Sequence, residues 1–311
     1  RTHFVFELIQ NAEDALSRRH KLFPESDLPR KLEFRLFSDR LEVRHFGVPF
    51  NEDDVKAISD ILKSKKSDDT QQIGRFGIGF KSVYAFTSSP EIHCGDEHFK
   101  LTDYIKVSAV PAKALFQGET LFVFPFNHYR ETAKKTYERI KRRLCQLDEH
   151  SILFLEYVDE ISWIIDENSR SLKRTIENIA QDCYKILINK DEIQSSWLVF
   201  SKETSVTTPG KVAAAFKLQR GGATSGETIK PIKRSPLVVS LPTELETDLH
   251  FLIHGPYLTT PARDNILKED CEENAALISL TARLVAEIPI RLRDDTELAK
   301  LNLLNIDLYN T

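Results

Sequence analysis

The residues of this chain best suited to chemistry lie near its beginning. In "ELIQNAEDA" the carboxylates of Glu7 and Asp14 and the carboxamide of Asn11 stand at i, i+7 and i+4, which puts all three on one stripe of a helix. A carboxylate one turn from a carboxamide can do two jobs. Glu7 can take a proton from water, and Asn11 can give its side-chain oxygen to a hard divalent cation held against phosphates. The same three residues would equally serve as a solvated helix face.

The stretch "IGRFGIGFKSVY" at 73–84 adds Gly74, Gly77 and Gly79, with Lys81 close behind. It is not a P-loop, because Phe80 separates the last glycine from the lysine. It is not a Rossmann turn either, because the glycines run in the reverse order. What remains is a glycine turn whose free amides, with the positive end of a helix starting near Phe80, could face an anion. Lys81 opposes that helix end, so an anion would compensate it; a surface lysine explains it as well.

Three further positions belong to the same inventory. In "VRHFGVPFNEDDV" (43–55) a strand runs through His45 into Gly47, where the missing side chain lets backbone approach a flat ligand, or simply makes a turn. Thr120 opens the strand in "GETLFVFPF". Its hydroxyl could bond a base or a water, or be that of an ordinary β-branched strand residue. In "LHFLIHGPYLTTPARDNI" (249–266) a turn presents Arg263 beside Asp264. This is an arginine able to stabilise charge on a γ-phosphate, or one half of a surface ion pair.

The elements that must position these groups follow from periodicity. Phe4, Leu8, Ala12, Ala15 and Leu16 recur at helical steps from Phe4 to about Lys21. "KLEFRLF" and "RLEVRHF" alternate around Ser38 and Asp39 and predict a hairpin. A short helix is predicted over 51–63 and another through "FKSVYAF". Strands follow at 91–94, 98–101, 105–110 and 120–126, then a charged helix at 131–147. A second unit is expected to open with "EISWIID" and to run through strands near 197–201, 212–219 and 237–240. A flexible loop lies at 219–227, and a long amphipathic helix at about 269–291 closes the chain. This order predicts an α+β fold: a mixed, mainly antiparallel sheet with helices on one face over 1–160, then a second α+β domain over 161–311.

The 311 residues, 41% apolar and 29% charged, suit a globular protein of two domains. The net charge of −4 disfavours a general nucleic-acid binder, although the basic run at 134–144 could be a contact surface or a solvated helix face. Four scattered cysteines without C-x-x-C pairing point to free thiols in a reducing, cytoplasmic setting. No apolar run reaches a membrane span. The start at Arg1 and the absence of methionine read as a segment of a longer protein.

Taken in order, "FELIQNAEDA", "IGRFGIGFKSVYAFTSSPEI" and "TLFVFPF" resemble the ATP-binding domain of the GHKL superfamily, most of all its sacsin-type members, which are related to the ninety-kilodalton heat-shock chaperones. The similarity covers roughly residues 1 to 160. It implies a Bergerat-type α/β sandwich that binds ATP and Mg²⁺ under a mobile lid, with 63–73 as part of that lid. By position, Glu7 looks like the general base and Asn11 like the Mg²⁺ ligand. Gly74, Phe76, Gly77, Gly79, Phe80 and Lys81 look like the phosphate turn, and Asp14, His45, Gly47 and Thr120 like further nucleotide contacts. Arg263 lies in a segment resembling the arginine-bearing loop of the chaperones. The implied partners are the nucleotide, a protein client or attached effector domain, and a second copy of the chain in the nucleotide-bound state. The competing readings are a DNA-processing ATPase of MutL or gyrase type and a nucleotide-binding module without turnover.

Two departures stand out. Glu119 occupies the usual glycine position before Thr120, with Gly118 one place earlier. His45 replaces the aspartate that accepts from the adenine amine, and Pro49 replaces the second glycine of that motif. A neutral imidazole can still accept one hydrogen bond through a ring nitrogen, so binding of a base need not be lost.

Overall fold

The computed structural model describes residues 4–50, 80–102, 106–204, 210–220, 227–260, 263–267 and 271–299. The helix expected over 51–63, the lid segment 63–73, and Gly74, Phe76, Gly77 and Gly79 lie outside the described residues. The chain divides into two units, Arg1–Asp148 with Leu155–Leu172, and Glu149–Phe154 with Lys173–Thr311.

In the first unit the apolar stripe read from the sequence becomes the inner face of helix α1 (Phe4–Leu22), where Phe4, Leu8, Ala12, Ala15 and Leu16 are buried. The predicted hairpin is β1 (Lys31–Leu36) and β2 (Arg40–His45), paired from Leu32↔His45 to Leu36↔Leu41. Strands β3 (Glu91–Cys94), β4 (Glu97–Thr102), β5 (Lys106–Ala109) and β6 (Thr120–Pro125) follow. Helix α2 (Ala133–Cys145) comes next, capped by the Thr132 side chain on the Lys135 amide. The strand expected to open the second domain, β7 (Glu160–Ile165), instead pairs in parallel with β1 and sets Trp163 beside Phe34. Within this unit the sheet order is β7-β1-β2-β6-β3-β4-β5, antiparallel except at β7–β1.

The helix predicted through "FKSVYAF" is instead a 3-10 helix of six residues, Phe80–Ala85. Thr87-Ser88-Ser89-Pro90 stops it: Asn127 Oδ1 accepts from the Ser88 amide at 2.8 Å, and proline turns the preceding residue away from helix. So short an element has little of the macrodipole that was to face an anion. Phe86, just beyond it, meets Phe4 of α1 at 5.0 Å between ring centroids.

The chain enters the second unit within β8 (Asn168–Ala180) and continues through β9 (Cys183–Lys190), β10 (Ile193–Glu203), β11 (Lys211–Arg220), β12 (Glu227–Ile229), β13 (Pro236–Val239), β14 (Leu241–Glu246) and β15 (Leu252–His254). Their order is β8-β9-β10-β11-β15-β13-β14, with β12 on β11. The segment 173–189, given no form by the sequence pattern, is thus most of a hairpin, turned by Asp182 at φ 54°. Aspartate tolerates that left-handed conformation better than most residues. The long helix α3 (Glu272–Asp294) packs on β10 and β11. Leu277, Leu284 and Ile288 meet Phe200, Phe216 and Phe251 in one core. A short α4 (Thr296–Ala299) follows. No helix among the described residues is long and apolar enough to cross a membrane, and Cys94, Cys145, Cys183 and Cys271 are all free thiols.

Three contacts fix α1 in its unit. Arg19, buried in the apolar phase of the helix, donates to the carbonyls of Leu28 (2.9 Å), Pro29 (3.2 Å) and Phe46. Glu13 accepts the successive amides of Glu156, Tyr157 and Val158 at 2.5, 2.9 and 2.8 Å, pinning the approach to β7. Gly47 completes the set, because a Cβ there would stand 2.6 Å from Ala15 Cβ. Gly47→Ala is therefore expected to force α1 and the β2 exit apart at a cost of about 1–3 kcal/mol. In chemical denaturation Ala15→Gly should restore part of that loss. Gly95→Ala, with nothing within 4 Å, should cost only about 1 kcal/mol of left-handed backbone strain.

Candidate functional site

The stripe predicted on α1 is present. Glu7 and Asn11 are half-buried, and Asp14 is exposed. The Asp14 carboxyl is nevertheless raised to about 6, first by desolvation and then by the neighbouring Glu13 and Glu7 charges, against the lowering pull of Arg18. Asn11 and Asp14 supply hard oxygen donors of the kind Mg²⁺ takes. Among the described residues no group of three or more His, Cys, Asp or Glu is arranged to hold a metal ion. A Mg²⁺ held by Asn11 and Asp14 would need phosphate or water to complete its shell.

One helical turn away the β2 exit meets α1 at Gly47 and Ala15, and here His45 and Thr120 are register partners across β2 and β6. Cys94 is the partner of Thr120 on its other side, across β3. All three are buried. Thr120 Oγ1 and Cys94 Sγ share a hydrogen at 3.0 Å, and Cys94 Sγ also accepts from the Phe50 amide at 3.4 Å. His45 leans on Phe122, with ring centroids 5.6 Å apart.

The nitrogen of His45 expected to accept from a base is already used. The Gly47 amide donates to Nδ1 at 3.1 Å. The ring is held neutral by burial and then by the Arg18 and Arg19 charges, which together lower its pKa to about 4. With Nδ1 accepting, the neutral ring carries its hydrogen on Nε2. The one lone pair of the neutral ring is therefore committed to the Gly47 amide.

The opposite face of the same strands explains Glu119. Its carboxylate is buried and accepts from Arg44 at 3.0 Å and from the Phe116 amide at 2.9 Å. Arg44 also bonds Glu42 at 3.0 Å, and Arg40 bonds Glu42 at 2.9 Å. Burial alone would raise Glu42, but its bonds from Arg40 and Arg44 prevail and hold it below the usual carboxylate range. Because side chains alternate across a strand, this charge ladder behind the sheet fixes the register that sets His45 beside Thr120 in front. Gly118 keeps its own role at φ 71°, where a Cβ would stand 2.4 Å from Leu28 Cδ1.

Of the remaining predicted residues, Phe80 and Lys81 open the 3-10 helix that contacts α1. Arg263 belongs to the second unit. Its backbone is left-handed at φ 55°, and its guanidinium donates to the carbonyls of Val239 (2.7 Å) and Leu241 (3.2 Å) on either side of the β13–β14 turn. The neighbouring Asp264 accepts from Thr260 Oγ1 at 2.5 Å. A cavity of about 560 Å³ opens at Gly47 and Pro49, walled by Phe23, Pro24, Leu28 and Gly118. Neither the α1 stripe nor His45 or Thr120 lines it, and its walls, apolar apart from Arg19, Glu25 and Ser26, are separate from those groups.

Sequence reasoning missed Arg19, Glu13, Cys94 and the Arg44–Glu119 pair. For Arg19 a signal existed, since it falls in phase with Ala12, Ala15 and Leu16 where a solvated arginine would not. The partners of Glu13 lie 143 to 145 residues away, and no local pattern announces them.

Residues 1–105 match the family model of the Sacsin domain. The chain is 24% identical over 308 residues to Protein NO VEIN of Arabidopsis thaliana, with 89% of this chain and 11% of that protein covered. It is 36% identical over 96 residues to human Sacsin, covering 29% of this chain and 2% of that protein. The chain thus spans a small part of each of these relatives.

The buried imidazole makes acid stability a test of the His45 environment. Between pH 6.5 and about 4 the unfolded chain binds a proton at His45 that the folded chain refuses. Its contribution is therefore complete above pH 6.5 and is lost as pH falls toward 4, worth roughly 3 kcal/mol for a fully buried group. His45→Asn should flatten that part of the stability profile in denaturant titrations. His254 of the second unit, also lowered to about 4 by burial, should keep its own share. An unchanged profile would mean that His45 is not buried as a neutral ring.

Proposed function

We propose that the first unit binds a Mg²⁺–purine nucleoside triphosphate and hydrolyses it, ATP being the nucleotide that the GHKL resemblance implies. One observation carries the reading: the Gly47–Ala15 contact brings the His45–Thr120 pair to α1, beside the oxygen-rich stripe of Glu7, Asn11 and Asp14. A flat ligand at the strand pair would direct its polar tail along that helix. Glu7 takes the proton of the attacking water. Asn11, with Asp14 nearby, would hold Mg²⁺, which when bound neutralises phosphate charge. The glycine stretch at 73–79 supplies backbone amides to the phosphates, and lid closure over 63–73 couples binding to shape. The resemblance to heat-shock chaperones supports a chaperone-like output on a protein client. An ATP-gated regulatory or defence component, in which an attached domain receives the shape change, uses the same site. Nucleotide-dependent pairing of two copies also belongs to this proposal.

Arg263 enters as the γ-phosphate-sensing residue of the proposal, and its bonds to Val239 and Leu241 give it a structural role besides. The two roles separate by measurement. Arg263→Ala should lower the stability of the second unit in either case, while loss of phosphate release per folded molecule is expected only if the arginine senses nucleotide.

A second reading, a binding module without turnover, is favoured by His45 standing where an aspartate is usual. Phosphate release and nucleotide binding, measured on the intact chain, Glu7→Ala and Asn11→Ala, decide between the two. We expect Glu7→Ala to bind nucleotide normally and to lose at least about 100-fold in turnover, the usual contribution of a general base. Asn11→Ala should weaken binding only when Mg²⁺ is present. Turnover indifferent to Glu7→Ala would remove the mechanism, and binding with no turnover in the intact chain would establish the module reading.

A further inference from the structure

The cavity of about 560 Å³ beside Gly47 and Pro49 is lined by a charge that its surroundings leave unbalanced. Arg19 forms part of its wall and is 5% exposed. Its hydrogen bonds run to three neutral carbonyls, from Nη1 to Pro29 and Phe46 and from Nη2 to Leu28. Among the described residues no carboxylate pairs with it. Burial and then the Arg30 charge both lower its pKa, and no acidic group acts in the other direction. A guanidinium carries five N–H donors, so with three in use the Nε hydrogen and one on Nη2 remain. Nε and Nη2 flank one edge of the planar group, and that edge matches a carboxylate through two parallel bonds.

The other walls define the rest of a ligand. Phe23, Pro24, Leu28 and Pro49 offer apolar faces, and Gly47 and Gly118 put no side chain into the space. One side is a fixed turn, in which the Phe23 amide bonds the Arg19 carbonyl at 2.7 Å and the Ser26 amide bonds the Phe23 carbonyl at 3.0 Å. Glu25, the acidic member of the lining, is exposed and opposes an anion. The volume falls within the range of about 300–1,000 Å³ that small organic ligands occupy. A phosphate dianion or a dicarboxylate would bring a second charge for which these walls hold no partner.

We propose that this cavity binds a small monocarboxylate with an apolar body, its carboxylate on Arg19 and its body against Phe23, Pro24, Leu28 and Pro49. The body is an acyl chain or an aromatic ring system, two sources of the same chemistry. The carboxylate balances the buried charge without displacing any of the three carbonyls. The cavity is separate from the groups assigned to nucleotide, and the inference does not depend on that reading.

The test is calorimetry on the intact chain at neutral pH with octanoate and 2-naphthoate, each against its neutral alcohol, 1-octanol and 2-naphthol. We expect at least one acid to bind one to one and at least about tenfold tighter than its alcohol, the ratio for a charge-assisted hydrogen bond made in a buried site. The acid that binds tighter assigns the body to an acyl or an aromatic source. Because Arg19 also positions α1, its neighbours are varied instead. Phe23→Ala, at an exposed wall residue, should weaken binding about tenfold through lost apolar contact. Glu25→Gln should tighten it about two- to threefold by removing the opposing charge. In a nuclear magnetic resonance titration the Arg19 Nε–H resonance should shift with the same dissociation constant. Acids that bind no tighter than their alcohols, constants unchanged in both variants, an Arg19 resonance unmoved at saturation, or no binding of either acid would each overturn the inference.

Discussion

A single buried guanidinium, that of Arg19, gathers the carbonyls of Leu28, Pro29 and Phe46, and the candidate site depends on that gathering. Phe46 stands between His45 and Gly47. Holding its carbonyl against the end of α1 brings the β2 exit down until Gly47 touches Ala15. An arginine can do this because its fork of donors reaches several acceptors at once without losing its charge. The apolar face of α1 supplies the attraction, and Arg19 supplies the position. Glu13 does the complementary task at the approach to β7, so the helix carrying Glu7, Asn11 and Asp14 is tied to both ends of the chain that forms its unit.

The two sides of the β2–β6 pair divide their labour. Behind, Arg40, Glu42, Arg44 and Glu119 form a ladder of charge-assisted bonds. In front, His45, Thr120 and Cys94 form a buried polar trio. A slip of one residue would exchange the faces, setting the charged ladder where the trio now stands and breaking both sets of bonds. Glu119, which looks like a departure from a motif when the sequence is read alone, is in the structure part of what keeps Thr120 in place. His45 departs in another sense. Its own backbone neighbour, the Gly47 amide, takes the ring's one lone pair.

Much of this was legible in the sequence where the signal was local. The α1 stripe, the β1–β2 hairpin, the strands at 91–94 and 120–126 and the charged helix predicted at 131–147 all follow from side-chain period and turn chemistry, which act over a few residues. What stayed hidden depended on long-range pairing. β7 reads as the opening of a new domain until Trp163 is seen beside Phe34, and no periodicity reports a parallel partner more than a hundred residues away. The segment 173–189 alternates too weakly to declare itself, because its outer face is solvated along much of its length. The tautomer of His45 was out of reach for another reason, since it depends on a backbone direction two residues away.

The account claims that the α1 stripe and the strand trio form one ligand site. The most direct measurement is a nuclear magnetic resonance titration of the intact chain with Mg²⁺ and a purine nucleotide, following the ring nitrogens of His45 and the carboxyl carbon of Asp14 together. The expected result is that both move with the same dissociation constant, Nε2 shifting as its hydrogen finds an acceptor while Nδ1 stays unprotonated. Nucleotide binding that leaves both resonances unmoved, or moves them with different constants, would contradict the account.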